Sequence, residues 1–436
     1  MKRTTFIHRL KPVVAVASVG LLLPAGAAHA VEFKTEQWSF SVTGNVNTNY
    51  TYTACDKNPA VVKGSLLCTA VAGESKGSSS VSSGNLPNGI VFGAKTTQEG
   101  YDLAATFGYY PGIVGNDFGR GPNVAINPAT GALPSGNIGL ASPAQDIRQV
   151  FATVGNKDMG TVLIGRNYSP VGFDAIVNDI TLIAVGVASS FTARAPANTT
   201  LGTIGFGHLY PNPQAQLAYT TPDYEGFKAT IGIFQPTDVF SLTGTSASSS
   251  NSTKSTPGVQ GKLRYDFKGS DLSGFVSSSG LYQKQALNAP GAGATALAES
   301  SPKSYVLDVT GKLVYGPFEL VAHAYTGTGI GIYAYYFDGF SPTGKPRDSS
   351  GGYLQAAYTV GKTKFGANYG ISSLDQGKGD TDDTLLKDNS KVTLGVYHSL
   401  TKNVTLTSEV TSAKSENHQG GDVKTQNYNV GVFFSF

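Results

Sequence analysis

The chain has 436 residues, of which only 14% are charged, and it is rich in Gly (54), Tyr (22) and Phe (22). A soluble protein of this size usually has about a quarter of its residues charged, so the composition favours a sheet with water on one face and lipid on the other. The 32 basic and 29 acidic residues give the whole chain a formal charge of +3. Segment 1–30 contributes four basic and no acidic residues, so the remaining chain has 28 basic and 29 acidic residues and a net charge of −1. The charge therefore predicts no nucleic-acid partner.

The N-terminal segment 1–30 has the pattern of an export signal. Basic residues near Lys2 and Arg3 precede a short apolar stretch at 13–23, and Ala28-His29-Ala30 supplies the small residues of a cleavage site. We predict cleavage after Ala30 and a mature domain over 31–436. The apolar stretch is too short for a spanning helix, and no other segment reaches the roughly 18 consecutive apolar residues that such a helix needs.

Alternation of apolar and polar residues with a period of two dominates the rest of the chain. From residue 38 one face of the first such segment carries Trp38, Phe40, Val42, Gly44, Val46, Thr48, Tyr50 and Tyr52. An apolar face with aromatic rings at both ends is typical of a strand that crosses a bilayer. The pattern predicts strands at 38–52, 89–97, 101–109, 147–155, 160–166, 213–220, 226–234, 258–267, 274–283, 303–313, 317–326, 351–360, 363–371, 390–400, 403–412 and 425–436.

The predicted connections alternate between short turns, such as 221–225, and long segments rich in Gly, Ser, Pro, Asn and Asp, such as 53–88 and 110–146. Outer-membrane barrels have short periplasmic turns and long external loops. The sequence thus predicts an all-β fold, a 16-stranded antiparallel transmembrane β-barrel with both termini on the periplasmic side. Unpaired backbone groups are too costly in hydrocarbon for the sheet to have free edges, so the last strand must pair with the first.

The closing strand is amphipathic to the last residue. One face carries Tyr428, Val430, Val432, Phe434 and Phe436, and the other carries Asn427, Asn429 and Ser435. This pattern places the carboxyl end of the chain at a membrane interface.

The two cysteines, Cys55 and Cys68, lie in one loop-like stretch of an exported chain. An oxidising compartment favours a disulfide between them. Two thiolates alone make a poor metal site, and we predict no metal and no cofactor.

Three segments have specific motifs, namely 41–46, Gly160-Thr161-Val162-Leu163-Ile164-Gly165-Arg166-Asn167-Tyr168 and the terminal Phe436. In these motifs, and as a pattern over the whole mature chain, the chain resembles the Gram-negative general porins of β- and γ-proteobacteria. The resemblance implies an outer-membrane channel for passive diffusion of ions and small hydrophilic solutes, in which the third loop, 167–212, folds into the barrel. It also implies a homotrimer in contact with outer-membrane lipid and lipopolysaccharide.

Strand parity predicts that Lys95, Lys262, Arg264 and Glu319 face the lumen, because a charge on the lipid face is costly. By resemblance, Arg166 matches the family's basic residue, and Asp174 and Asp179 are candidate acids of the third loop. Relatives often carry Arg where this chain has Val91, so we expect the basic wall to be rebuilt from Lys95, Arg148, Lys262 and Arg264.

Parity and resemblance disagree at Arg166. Its parity matches that of Val162 and Ile164, so an inward Arg166 requires a bulge or the end of the span. The alternative is an Arg that anchors the rim or a loop.

Three alternatives to a general channel remain at this stage. Some outer-membrane barrels are hydrolases, but no G-x-S-x-G elbow occurs here, and we predict no enzyme. A barrel adhesin is a second alternative, although the low-complexity segment 246–256 is more typical of a flexible loop tip. A substrate-selective channel is the third, because Tyr333, Tyr335, Tyr336, Phe337 and Phe340 could form an aromatic track for sugars, or else cap a loop or belong to the aromatic belt.

The third loop also contains an apolar run at 179–188. Such a run is unusual for a segment in a watery pore. It either packs against the inner wall, contacts a neighbouring subunit, or narrows the pore.

Overall fold

The computed structural model describes residues 30–56, 61–68, 77–113, 145–188, 199–249, 254–288 and 297–436. The predicted export signal lies outside these residues except for Ala30. Among the described residues, no helix has the length and apolar character to cross a membrane.

In the part of the chain that the structure describes, eighteen strands form one sheet. Their bounds are β1 Val31–Lys34, β2 Ser39–Cys55, β3 Gly77–Ser82, β4 Gly89–Gln98, β5 Tyr101–Pro111, β6 Gln145–Asn156, β7 Gly160–Tyr168, β8 Pro213–Thr220, β9 Phe227–Phe234, β10 Gly258–Lys268, β11 Leu272–Lys284, β12 Lys303–Tyr315, β13 Phe318–Thr328, β14 Asp348–Val360, β15 Thr363–Leu374, β16 Leu386–Ser399, β17 Val404–Asn417 and β18 Asp422–Ser435. A short helix α1, Phe173–Val177, and a 3-10 turn, Ile180–Ile183, follow β7.

Sixteen of the strands, β2 and β4–β18, close into an antiparallel barrel. The closing pair joins β18 to β2, with Tyr428 opposite Tyr52 and Val432 opposite Thr48. The predicted sixteen strands and their closure are confirmed. Several strands extend further toward the long loops than predicted, as β17 does by reaching Asn417, because the backbone ladder continues after both faces of a strand have become polar.

The alternation of side chains also follows the prediction on the closing strand. Tyr428 and Val430 are exposed on the outer face, at 48% and 56%, whereas Asn427 and Asn429 are buried toward the lumen. Outward-facing rings recur near the short turns, at Phe227, Tyr265, Tyr315, Phe318 and Phe434, and near the long loops, at Tyr50, Tyr52, Tyr282 and Tyr305. These are the two aromatic belts expected of a barrel in a bilayer.

Two short strands were not predicted. β1 pairs with β2 at residues 39–42 and lies on the same side of it as β18. β3 pairs with β2 at 49–54 and continues the line of β4. Between β3 and β4, segment 83–88 leaves the wall.

The asparagines on the lumen face of β2 fill the gap that segment 83–88 leaves. Asn45 Nδ2 donates to the Pro87 carbonyl at 2.8 Å, and Asn47 Nδ2 donates to the Leu86 carbonyl at 2.8 Å. The Asn47 N–H donates to Asn88 Oδ1 at 2.7 Å. Side-chain amides thus replace backbone ladder bonds, since a buried N–H or C=O without a partner is costly.

The apolar core lies inside the barrel, between loops. Because β7 extends to Tyr168, we call residues 169–212, the remainder of the predicted third loop, loop 3, and residues 329–347 loop 6. Leu182 and Val187 of loop 3 pack in one cluster with Leu86 of segment 83–88 and Tyr333 of loop 6. The apolar run of loop 3 therefore packs against other loops within the chain, stabilised by removal of its side chains from water.

A disulfide joins Cys55, the last residue of β2, to Cys68, with Cα atoms 6.0 Å apart. Both residues are buried in the same cluster as Leu182. The bond ties the loop after β2 to the end of that strand.

Candidate functional site in the barrel lumen

Loop 3 leaves the wall at the end of β7. The Ser169 hydroxyl donates to Gln214 Oε1 at 2.6 Å, and the Gly172 N–H donates to Asp308 Oδ2 of β12 at 2.6 Å. Gly172 has φ +75°, and a Cβ there would lie 2.4 Å from the Leu209 carbonyl oxygen. Only glycine fits this turn without strain, and the turn directs α1 across the lumen.

Asp174, in the first turn of α1, reaches the wall of β10. Its carboxylate lies 3.3 Å from Lys262 Nζ and 3.0 Å from Arg264 Nη1. The two cations are two residues apart on one strand and therefore share a face. The structure thus brings one predicted loop acid together with two of the predicted wall cations.

The Arg264 guanidinium has further contacts. It pairs with Asp266 at 2.7 Å and stacks on the Phe275 ring, with the guanidinium carbon 3.7 Å from the ring centroid. Burial opposes ionisation of Asp174, but Lys262 and Arg264 outweigh that effect and hold the pKa of its carboxyl below the ordinary value. The Asp174 carboxylate therefore remains charged at neutral pH.

Asp179 does not share this position. It is 3% exposed and caps the 3-10 turn, accepting from the N–H groups of Thr181 at 3.0 Å and Thr203 at 3.1 Å. Burial raises the pKa of its carboxyl, but Lys391 and His208 outweigh burial and lower it. The expectation that Asp179 is a constriction acid is corrected here. N–H groups of loop 3 bind its carboxylate and hold it away from the open lumen.

Arg166 lies on the outer face of the barrel, which contradicts the expected pore position. It stands opposite Val150, an outward residue, in a ladder from 160 to 166 that has no bulge, and its Nε donates to the Ile147 carbonyl at 3.1 Å. With no bulge to change the parity, Arg166 follows Val162 and Ile164 outward.

Arg148 lies at a β-bulge, where the register shifts between Gly108 and Tyr109. It is buried, pairs with Asp146 at 2.7 Å, and lies within 6 Å of the ring centroids of Tyr110 and Tyr210. Its contacts are those of a cation held between aromatic rings, and they do not include Asp174.

Lys95 and Glu319 lie close to the short-turn end. Lys95 is 57% exposed and lies 4.0 Å from Glu32 of β1. Glu319 bridges Lys312 at 3.0 Å and Lys364 at 3.5 Å. Both belong to the mouth of the lumen rather than to the contact made by loop 3.

Glu409 of β17 binds loop 3 at the end of its apolar run and was not among the predicted site residues. Its carboxylate accepts from the N–H groups of Val185 at 3.1 Å and Gly186 at 2.7 Å, and from the Tyr397 hydroxyl at 2.6 Å. Gln355 of β14 similarly accepts from the Ile180 N–H at 2.7 Å. No local pattern could identify these partners, because they are far apart in sequence.

The aromatic residues of loop 6 form no open track. Tyr333, Tyr335, Tyr336 and Phe340 are fully buried, and the Tyr335 hydroxyl donates to the Val171 carbonyl at 2.6 Å. Their rings fill space between loops 3 and 6. Within the described ranges, no group of three or more His, Cys, Asp or Glu side chains is arranged to hold a metal ion.

Comparison with known proteins gives a family and a fold. The family model described as Gram-negative porin matches residues 13–418. No curated protein matches the chain. The solved structures include the outer membrane channel DcaP of Acinetobacter baumannii, with 14% identity, 93% of this chain and 99% of that chain covered, and a TM-score of 0.64.

Two further structures share the fold. OmpF of Salmonella typhi in complex with daunomycin has 13% identity, coverage of 93% and 100%, and a TM-score of 0.55. OmpT, an outer membrane protein of Vibrio cholerae, has 13% identity, the same coverage, and a TM-score of 0.52. With its closed 16-stranded barrel and a family match over nearly its whole length, this chain belongs to the Gram-negative porin family and is an outer-membrane channel for passive diffusion.

Proposed function

We propose that ions and small hydrophilic solutes pass along the lumen face of β9 and β10, beside the contact that Asp174 of α1 makes with β10. Exposure of the lumen-facing residues supports this path. On the opposite wall, Lys391, Thr411 and Asn427 are at most 2% exposed beneath the loops. On β9 and β10, Thr230 and Arg264 keep part of their surface open.

The charges beside this path balance. Asp174 and Asp266 oppose Lys262 and Arg264, each within contact distance of an opposite charge. Fixed charges lining a pore set its ion preference, and adjacent opposite charges cancel beyond a few ångströms. We therefore propose a general channel of weak ion selectivity. The burial of the loop 6 aromatic rings removes the main support for a sugar-selective track.

The burial of two lumenal histidines argues against an enzymatic function. His208 and His323 are 0% and 5% exposed, and the His323 ring bonds the Thr310 hydroxyl at 2.9 Å. A general base must reach a substrate proton, and neither of these imidazoles reaches open lumen. We assign the chain no catalytic role.

We further propose that the short turns are periplasmic and that the chain is a homotrimer in contact with outer-membrane lipid and lipopolysaccharide. We also propose that the signal is cleaved after Ala30. The start of β1 at Val31, directly after this site, supports the proposed cleavage. A solved form of Vibrio cholerae OmpT, at 12% identity and a TM-score of 0.50, is a trimer, which supports the proposed assembly.

Planar bilayers containing the purified mature protein test the proposal. We expect stepwise conductance increases, a linear current–voltage relation at low voltage, and a K⁺ to Cl⁻ permeability ratio close to one. Liposome swelling with neutral sugars of increasing size should give rates that fall with size. Bilayers that show no more current than a detergent-only control would contradict a channel, and strong selectivity for one sugar would contradict a general one.

A further inference from the structure

Two lysines face each other on the outer surface of the barrel. Lys284 ends β11, Lys303 begins β12, and the register places them directly opposite one another at the long-loop end. Both are exposed and share the outward parity of Tyr282 and Tyr305. Directly opposed residues in an antiparallel pair have Cβ atoms about 5 Å apart, so the two lysine side chains leave the sheet from one small area and one ligand can contact both.

No acid among the described residues forms an ion pair with either lysine. Glu299, in the connection between the two strands, pairs instead with Lys345 at 3.1 Å. Asp348, at the same end of β14, accepts a hydrogen bond from Thr328 at 2.5 Å. Like charges directly opposite one another destabilise a sheet, so an anion between the ammonium groups would relieve an unfavourable contact.

The residues below the pair define the environment of that anion. Tyr282 and Tyr305 lie next along the strands, at 43% and 54% exposure, followed by Leu307 at 55%. Cationic groups therefore stand directly above an aromatic belt and an aliphatic surface. A ligand with an anionic head and acyl chains matches that order.

We propose that Lys284 and Lys303 bind a phosphate of lipid A, the anchor of lipopolysaccharide, with its acyl chains against Tyr282, Tyr305 and Leu307. The inference rests on the proposed orientation, because the long-loop end then lies in the outer leaflet, where lipopolysaccharide is the phosphate-bearing lipid. Phosphate accepts hydrogen bonds from both ammonium groups at once.

The expected effect follows from the charge. A lysine beside an anionic lipid surface contributes about 1 kcal/mol, which is about fivefold in affinity. Lys284→Ala/Lys303→Ala should therefore weaken lipid A binding about 25-fold, and the loss should shrink as salt rises. Lys303→Glu should pair with Lys284, keep the barrel folded and remove binding. Lys284→Arg/Lys303→Arg should retain it.

Native mass spectrometry of the detergent-solubilised protein, titrated with bisphosphorylated lipid A or with phosphatidylglycerol, measures these affinities. Lys362→Ala/Lys402→Ala is the matched control, since it removes the same charge from exposed turns at the other end; we expect it to bind lipid A as wild type does. Unchanged lipid A binding in Lys284→Ala/Lys303→Ala, or an equal loss in the control, would overturn the site. An equal loss for both lipids would overturn its assignment to lipid A. Bilayer conductance of the same variants, expected to be unchanged, separates this result from the channel function.

Discussion

The substitution Asp174→Asn is the sharpest probe of the lumen. It removes one negative charge beside Lys262 and Arg264 while keeping the volume of the side chain. Both cations then remain in place with one acid, Asp266, in contact with Arg264. The local charge changes from balanced to positive, so we expect the channel to become anion-selective.

The magnitude follows from Coulomb's law. An ion passing about 6 Å from the Asp174 carboxylate interacts with it by about 0.7 kcal/mol in water, reduced to about 0.4 kcal/mol by a Debye length of about 10 Å at 0.1 M salt. The change acts with opposite sign on cations and anions, so the permeability ratio changes by about 0.8 kcal/mol, about fourfold toward Cl⁻. At 1 M salt, where the Debye length is about 3 Å, the change should fall to about 1.4-fold.

Reversal potentials across planar bilayers under KCl gradients centred on 0.1 M and on 1 M measure this ratio. Asp158→Asn is the matched control, because Asp158 pairs with Lys157 at 3.2 Å in a turn where its side chain is 74% exposed. An unchanged ratio for Asp174→Asn at 0.1 M, a shift toward K⁺, or a shift no larger than that of the control would refute the placement of Asp174 beside the path.

Further predictions concern pH, Arg166 and Glu409. The pKa of the Asp174 carboxyl is lowered in the folded protein, so its ion pairs stabilise the fold above the ordinary pKa of 3.8 and that contribution is lost as pH falls below it. The difference in permeability ratio between wild type and Asp174→Asn should therefore stay constant from pH 8 to about 5, and a change of that difference within this range would contradict the ion pairs. Arg166→Ala should leave the reversal potential unchanged, because the side chain faces outward, and a shift toward K⁺ would restore the pore assignment. Glu409→Ala leaves the N–H groups of Val185 and Gly186 without their acceptor, at a cost of about 1–3 kcal/mol. Open-channel noise in single-channel records should rise, and records as quiet as wild type would show that loop 3 does not need this anchor.

The sequence predicted the strands of the barrel wall better than the contacts of the loops inside the lumen. Period-two alternation is a local signal, and it located all sixteen spanning strands and the inward parity of Lys262 and Arg264. It could not reveal that segment 83–88 leaves the wall, because that depends on hydrogen bonds to loop 3 such as Leu86 N–H to the Leu182 carbonyl at 2.7 Å.

The failures at the site have separate physical causes. At Arg166 the family motif suggested the lumen, but an unbroken strand kept the residue on the lipid-facing parity. Asp179 lies in loop 3 as predicted, but its carboxylate caps the 3-10 turn of that loop and is therefore not available to line the open lumen. At Arg148 a bulge changes the local geometry, and sequence alone does not locate bulges.

The position of the permeation path is tested most directly by a thiol placed on its proposed wall. Both cysteines of the chain are joined in the disulfide, so an introduced cysteine supplies the only free thiol. Thr230 lies opposite Lys262 on the lumen face of β9, and its neighbour Ile231 is 62% exposed on the outer face. A positively charged methanethiosulfonate reagent added to an open channel should reduce the current of Thr230→Cys and leave that of Ile231→Cys unchanged; equal responses of the two variants, or no response at Thr230→Cys, would contradict a path along this wall.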